Sequence, residues 1–95
     1  MATYGTPMTA RDFIAHGHVQ GVVFRESLRR AAEARGVAGS ARNLPDGTVH
    51  GTLEGEAADV EALLDVIRGG PGSATVSALD VSPAEVRGLQ GFTTG

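Results

Sequence analysis

Val37-Ala38-Gly39-Ser40-Ala41-Arg42-Asn43-Leu44-Pro45-Asp46-Gly47-Thr48-Val49-His50-Gly51-Thr52-Leu53-Glu54 lies in the middle of the chain and decides its fold. Its centre is a turn with a mechanism: Pro45 fixes φ, Asp46 tolerates the reversal and Gly47 accepts positive φ. Val37 to Leu44 reads as an extended run before the turn. After it, Thr48 to Glu54 alternates, with Val49, Gly51 and Leu53 on one face and His50, Thr52 and Glu54 on the other. The stretch is a β-hairpin. What flanks it settles the architecture.

Upstream, Phe24 to Arg35 carries Phe24, Leu28, Ala31, Ala32 and Arg35 along one helical stripe, and Gly36 supplies a C-cap. Glu26 stands four residues before Arg30, the favourable order for a surface ion pair. Before that helix, from Arg11, a strand is expected with Phe13, Ala15, Gly17 and Val19 inward and Asp12, Ile14 and His16 outward. Downstream, Val60, Leu63, Leu64 and Ile67 recur at i, i+3, i+4 and i+7, marking a helix over about Ala57 to Arg68. Gly69-Gly70-Pro71-Gly72 stops it, and Thr75 to Val81 forms a last long strand with Val76, Leu79 and Val81. Phe92 starts a candidate short fifth strand. The order β-α-β-β-α-β specifies an α+β, ferredoxin-like sandwich, with a mainly antiparallel sheet and two helices on one face. Residues 1–9, with Gly5 and Pro7, read as a flexible tail before a single domain over 10–95.

Composition narrows the function. The 95 residues suffice for one domain with one core, and only 4% are aromatic, so that core must be largely aliphatic. A formal net charge of −3 opposes a nucleic-acid protein that works by broad phosphate neutralisation. With no cysteine, disulfides, thiolate catalysis and Cys-based metal sites are excluded. No run approaches the ~18 apolar residues of a membrane span, and the N-terminus lacks a signal-peptide centre. A cytoplasmic monomer is expected, without cofactor, metal, nucleic-acid or membrane partner.

One local feature runs against the acidic balance. His16-Gly17-His18-Val19-Gln20-Gly21-Val22-Val23-Phe24-Arg25 places two glycines and an arginine between a strand and a helix. Such a segment gathers backbone N–H groups at a helix N-terminus, a ready cradle for a phosphate or carboxylate. The guanidinium at its end can grip two oxygens of one anion. A right-handed crossover through the first helix makes strands one and two parallel, so both end at the same sheet edge. The loop leaves strand one there, and Asn43 lies near the end of strand two. The two should meet.

Gly17-His18-Val19-Gln20-Gly21-Val22-Val23-Phe24-Arg25 closely resembles the first signature of the acylphosphatase family, and Ala41-Arg42-Asn43-Leu44-Pro45-Asp46-Gly47-Thr48-Val49 resembles the second. The resemblance extends more weakly over roughly Arg11 to Phe92. It implies hydrolysis of a carboxylic–phosphoric anhydride to a carboxylate and inorganic phosphate. By matching positions it implies that Arg25 and the backbone N–H groups of His18, Val19, Gln20, Gly21, Val22 and Val23 hold the phosphoryl group, and that Asn43 positions the attacking water. It implies no metal and no covalent intermediate. Ser40 stands where the family often has tryptophan, which reduces the apolar area of strand two.

Other readings compete. The topology also serves RNA-recognition domains, but the two central strands lack the aromatic pair that would stack bases. A regulatory module that binds an acyl phosphate without turnover shares the same cradle. So does an acylphosphatase-like domain of a larger maturation or carbamoyl-transfer protein; with no further domain in the sequence, a stand-alone enzyme is expected. His16, His18 and His50 lack the spacing of a closed metal site, and His16 and His50 are expected on the sheet surface. Arg42 is expected to be a solvated charge, and Glu54, Glu56, Asp59 and Glu61 to cap and solvate the second helix.

Overall fold

The computed structural model describes residues 7–20, 22–71 and 74–94. In chain order the elements are β1 (Met8–His18), α1 (Val22–Ala34), β2 (Ala38–Asn43), β3 (Val49–Glu56), α2 (Ala57–Arg68), β4 (Thr75–Ala84) and β5 (Phe92–Thr94). They form one sheet in the order β4-β1-β3-β2-β5. β3 runs antiparallel to both β1 and β2. β1 and β2 therefore run parallel to each other and end at one edge, as the crossover argument requires. The expected order β-α-β-β-α-β is present, with the short β5 added parallel to β2 from Gly39↔Phe92 to Ala41↔Thr94.

The expected tail over residues 1–9 falls mostly outside the described residues. Met8 and Thr9, however, already pair with Glu56 and Gly55, so β1 begins earlier than Arg11. Ala57 donates its N–H to the Pro7 carbonyl, which ties this start to the head of α2.

Phe13, Ala15, Val19, Val49 and Leu53 are buried from the sheet side, with Phe24, Leu28 and Ala32 from α1 and Val60, Leu63, Leu64 and Ile67 from α2. Burying each large aliphatic side chain contributes about 1.5–3 kcal/mol, so the α2 stripe is a principal anchor of that helix. Arg35, expected on the α1 stripe, is exposed beyond the helix end. Phe13 lies across Gly51 on the neighbouring strand: a Cβ at Gly51 would collide with the Phe13 ring. The missing side chain is thus filled by the ring of its partner strand.

Val76 and Leu79 differ in strand parity, yet both pack against the core. A bulge reconciles them. His16 pairs with Ala78 but Gly17 pairs with Val76, leaving Ser77 as the extra residue on β4. Gly17 sits at this bulge with φ of +122°, and a Cβ there would meet the Thr75 carbonyl and lie 2.8 Å from the Ser77 nitrogen. Only glycine lets the end of β1 come this close to β4 before the chain turns into the loop.

The expectation for Glu54 is overturned. It does not solvate α2. It lies on the sheet face away from the helices and is only 2% exposed. The cause is the connection from β4 to β5, which must pass from one sheet edge to the other. It crosses where Ala10 and Glu54 pair, and the Glu54 carboxylate accepts N–H bonds from Arg87 at 2.7 Å and Leu89 at 2.8 Å. Of the other acids, Asp59 stands in the first turn of α2, and Glu61 lies 4.0 Å from Arg11.

These bonds hold the Glu54 carboxyl below its ordinary value of 4.5, the Arg87 N–H contributing most. A carboxyl whose pKa is lower folded than unfolded contributes stability above its unfolded pKa, and that stability is lost as pH falls through the folded value. Glu54→Gln should therefore lower Tm at neutral pH, and the gap to the wild type should close as pH drops below about 4.5. Melting curves across that range check it. A gap that persists undiminished in acid rejects the carboxylate as the tie.

Candidate functional site

The glycine-rich loop runs from the end of β1 at His18 to the start of α1. Val19 is fully buried and pins the loop to the core, leaving exposed His18 and Gln20 on either side of it. Gly21 lies outside the described residues. Val22 and Val23, expected in the loop, form the first turn of α1 instead. That shift changes the origin of their amides: they are the unsatisfied N–H groups of a helix N-terminus, which carries about half a positive charge.

Arg25 also stands in this first turn, which contains no acidic residue. A cation there is opposed by the helix dipole at a cost of about 0.3–1 kcal/mol, so the position is unfavourable for the helix itself. The acids of α1 do not relieve it. Glu26 pairs with Arg29 and, at 3.4 Å, with Arg30, while Glu33 pairs with Arg29 at 3.0 Å. Among the described residues no carboxylate pairs with Arg25, and its Nε is buried without a hydrogen-bond partner.

Asn43 is the last residue of β2, opposite Val49. Behind it the turn is closed by local bonds: Leu44 N–H to Thr48 O at 2.9 Å, Gly47 N–H to Leu44 O at 3.1 Å, and Thr48 N–H to the Asp46 carboxylate at 2.9 Å. The Thr48 hydroxyl also donates to Asp46, and these bonds lower the Asp46 pKa below 3.8. A closed turn holds the strand end in place. Asn43 Oδ1 is buried and, like Arg25 Nε, has no partner; these are the two such side-chain atoms among the described residues.

The loop and the turn touch. The Gln20 side-chain amide donates to Leu44 O at 2.6 Å and to Thr48 O at 3.1 Å. The sequence reading assigns Gln20 a role through its backbone alone. The side-chain bridge spans 24 positions, and no periodic or turn signal in one dimension marks it.

The other candidates lie elsewhere. Arg42 is exposed on the opposite face, as alternation requires. It lines, with Asp12, Ile14, His50 and Asp80, a depression of about 660 Å³ on the open sheet face that includes none of the loop residues and not Asn43. His16 lies on that face too, with Nε2 2.9 Å from an Asp80 oxygen. The depression is lined by two acids, Asp12 and Asp80, and its one aromatic lining residue, Phe13, is 1% exposed and packed in the core, so base stacking has no platform there. Among the described residues, no group of three His, Cys, Asp or Glu is placed to hold a metal ion, and no helix is long and apolar enough to cross a membrane.

A mainly antiparallel split β-α-β sheet, with a glycine-rich loop entering a helix beside the end of β2, is the frame in which known relatives are found. The acylphosphatase family model matches residues 11–94, and the chain belongs to that family. An acylphosphatase of Thermococcus kodakarensis is 48% identical over 77 residues, which cover 81% of this chain and 85% of the relative. The solved structure of an acylphosphatase from Coxiella burnetii superposes with a TM-score of 0.86 at 32% identity, covering 93% of both chains. A structure of full-length HypF, in its phosphate- and nucleotide-bound form, aligns with a TM-score of 0.80 at 25% identity over 94% of this chain but 12% of that one.

Proposed function

We propose that this chain is an acylphosphatase, an enzyme that hydrolyses acyl phosphates to a carboxylate and inorganic phosphate, with Arg25 and the loop amides holding the phosphoryl group and Asn43 orienting the water. The observation that carries the site assignment is the pair of buried, unpartnered atoms, Arg25 Nε and Asn43 Oδ1. A buried polar group without a partner costs about 1–3 kcal/mol, and native structures hold few of them. Bound substrate and water supply what each lacks. Arg25 Nε–H donates to a phosphoryl oxygen, and the attacking water donates one O–H to Asn43 Oδ1, which turns its lone pair toward phosphorus.

The chemistry asks for little more. The phosphorus–oxygen bond to the acyl group breaks, and the carboxylate leaves with the electron pair as water forms the new bond. That leaving group is weakly basic, so no general acid is needed. Phosphoryl transfer depends mainly on positioning and on stabilising charge over the equatorial oxygens. The loop offers no carboxylate as a base, so the water's proton passes to an oxygen of the phosphoryl group itself. His18 is the titratable candidate for a base on the loop, and it is exposed. The lack of cysteine supports the reducing cytoplasm.

Benzoyl phosphate hydrolysis in excess chelator tests this reading. The wild type should release benzoate and phosphate well above the spontaneous rate, and His18→Ala should leave that rate nearly unchanged at neutral pH. A wild type that binds phosphate without turnover makes the protein a binding module. A His18→Ala loss as large as that of Asn43→Ala makes His18 the base.

A further inference from the structure

We infer that the Gln20 side chain is a positioning residue that sets the gap between the phosphoryl cradle and Asn43. The inference rests on the acylphosphatase reading of the site but concerns a side chain that reading does not use. Gln20 is exposed, so it is not held by burial. It is held by its two amide hydrogens, donated to Leu44 O at 2.6 Å and Thr48 O at 3.1 Å. Both acceptors belong to the turn that closes β2, and Leu44 directly follows Asn43. Each already accepts a bond within the turn, from Gly47 N–H and Leu44 N–H respectively. Gln20 therefore braces a turn that is already closed.

The topology explains why a brace matters here. β3 lies between β1 and β2, so the cradle and Asn43 hang from strands that are not hydrogen-bonded neighbours. Their spacing at the open edge depends on two strand ends and a loop. A misplacement of about 1 Å can cost roughly 10²-fold in rate. A neutral primary amide suits the task, because it gives two donors to two carbonyls without adding charge beside the anion site. Glutamate has nearly the same shape but would set a carboxylate against both carbonyl oxygens.

Gln20→Ala and Gln20→Glu should each lower kcat for benzoyl phosphate by about 10- to 100-fold. KM and the Ki of inorganic phosphate should move by less than about threefold in Gln20→Ala, since the cradle amides and Arg25 remain. Because Gln20 acts through Asn43, Gln20→Ala introduced into Asn43→Ala should cost less than about twofold more. Melting temperatures and both single variants are measured together, so that if one fails to fold the other carries the test. An unchanged kcat, losses that multiply in the double variant, or a loss confined to KM and Ki each overturns the inference. The wild-type rate in the same experiment reports separately on the acylphosphatase reading.

Discussion

Arg25→Ala should lower kcat/KM for benzoyl phosphate by at least about 10²–10³-fold, the usual cost of losing one well-placed donor to developing charge. Arg25 is charged and able to bind two oxygens at once, so the loss belongs at the upper end or beyond. Lysine should not restore it, because a point charge on a flexible stem cannot reproduce the planar fork. Inorganic phosphate should bind more weakly as well. The fold should not suffer. Arg25 opposes the dipole of α1 and has no carboxylate partner among the described residues, so its removal should leave Tm equal or higher. Kinetics and a melting curve on one preparation check both signs; retained activity or rescue by lysine rejects the role of Arg25.

Asn43→Ala should lower kcat by about 10²-fold or more, through loss of water orientation. Phosphate binding should survive, because in the proposed arrangement the cradle amides and Arg25, not Asn43, hold the phosphoryl oxygens. This split separates Asn43 from Arg25. Stability should again hold or rise, since the substitution removes a buried oxygen that has no partner among the described residues. A matching loss of phosphate affinity would reassign Asn43 to binding, and unaltered kcat would remove it from the site.

Both predictions, lower activity with unchanged or higher stability, follow from the proposal that these residues are placed for ligand and not for the free fold. The same logic explains what was legible beforehand. Val60, Leu63, Leu64 and Ile67 announce α2 because burial on one helix face leaves a local, periodic trace. Pro45-Asp46-Gly47 announces the hairpin because turn geometry admits few residue types. The loop and Asn43 were legible as two short motifs on strands whose ends the crossover rule brings to one edge. Val22 and Val23 read as loop because valine gives no start signal for a helix.

The burial of Glu54 is hidden for a different reason. Alternation places it away from the helices, where a carboxylate normally meets water. What buries it is the segment around Arg87 and Leu89, 33 and 35 positions away. No local pattern encodes that crossing. The bulge at Gly17 was equally hidden, although the mismatched parity of Val76 and Leu79 was its one visible trace.

The elements, their order, the aliphatic core and the two motifs are legible in the chain, because each is written within a few consecutive residues. Long-range packing settles the rest. It set the parallel pairing of β5 with β2, the burial of Glu54 beneath the connection, and the bond from Gln20 to the turn behind Asn43. It also left Arg25 Nε and Asn43 Oδ1 buried without partners. All of these depend on which distant groups the packed sheet brings within bonding distance, and such distances exist only once the chain has closed on itself.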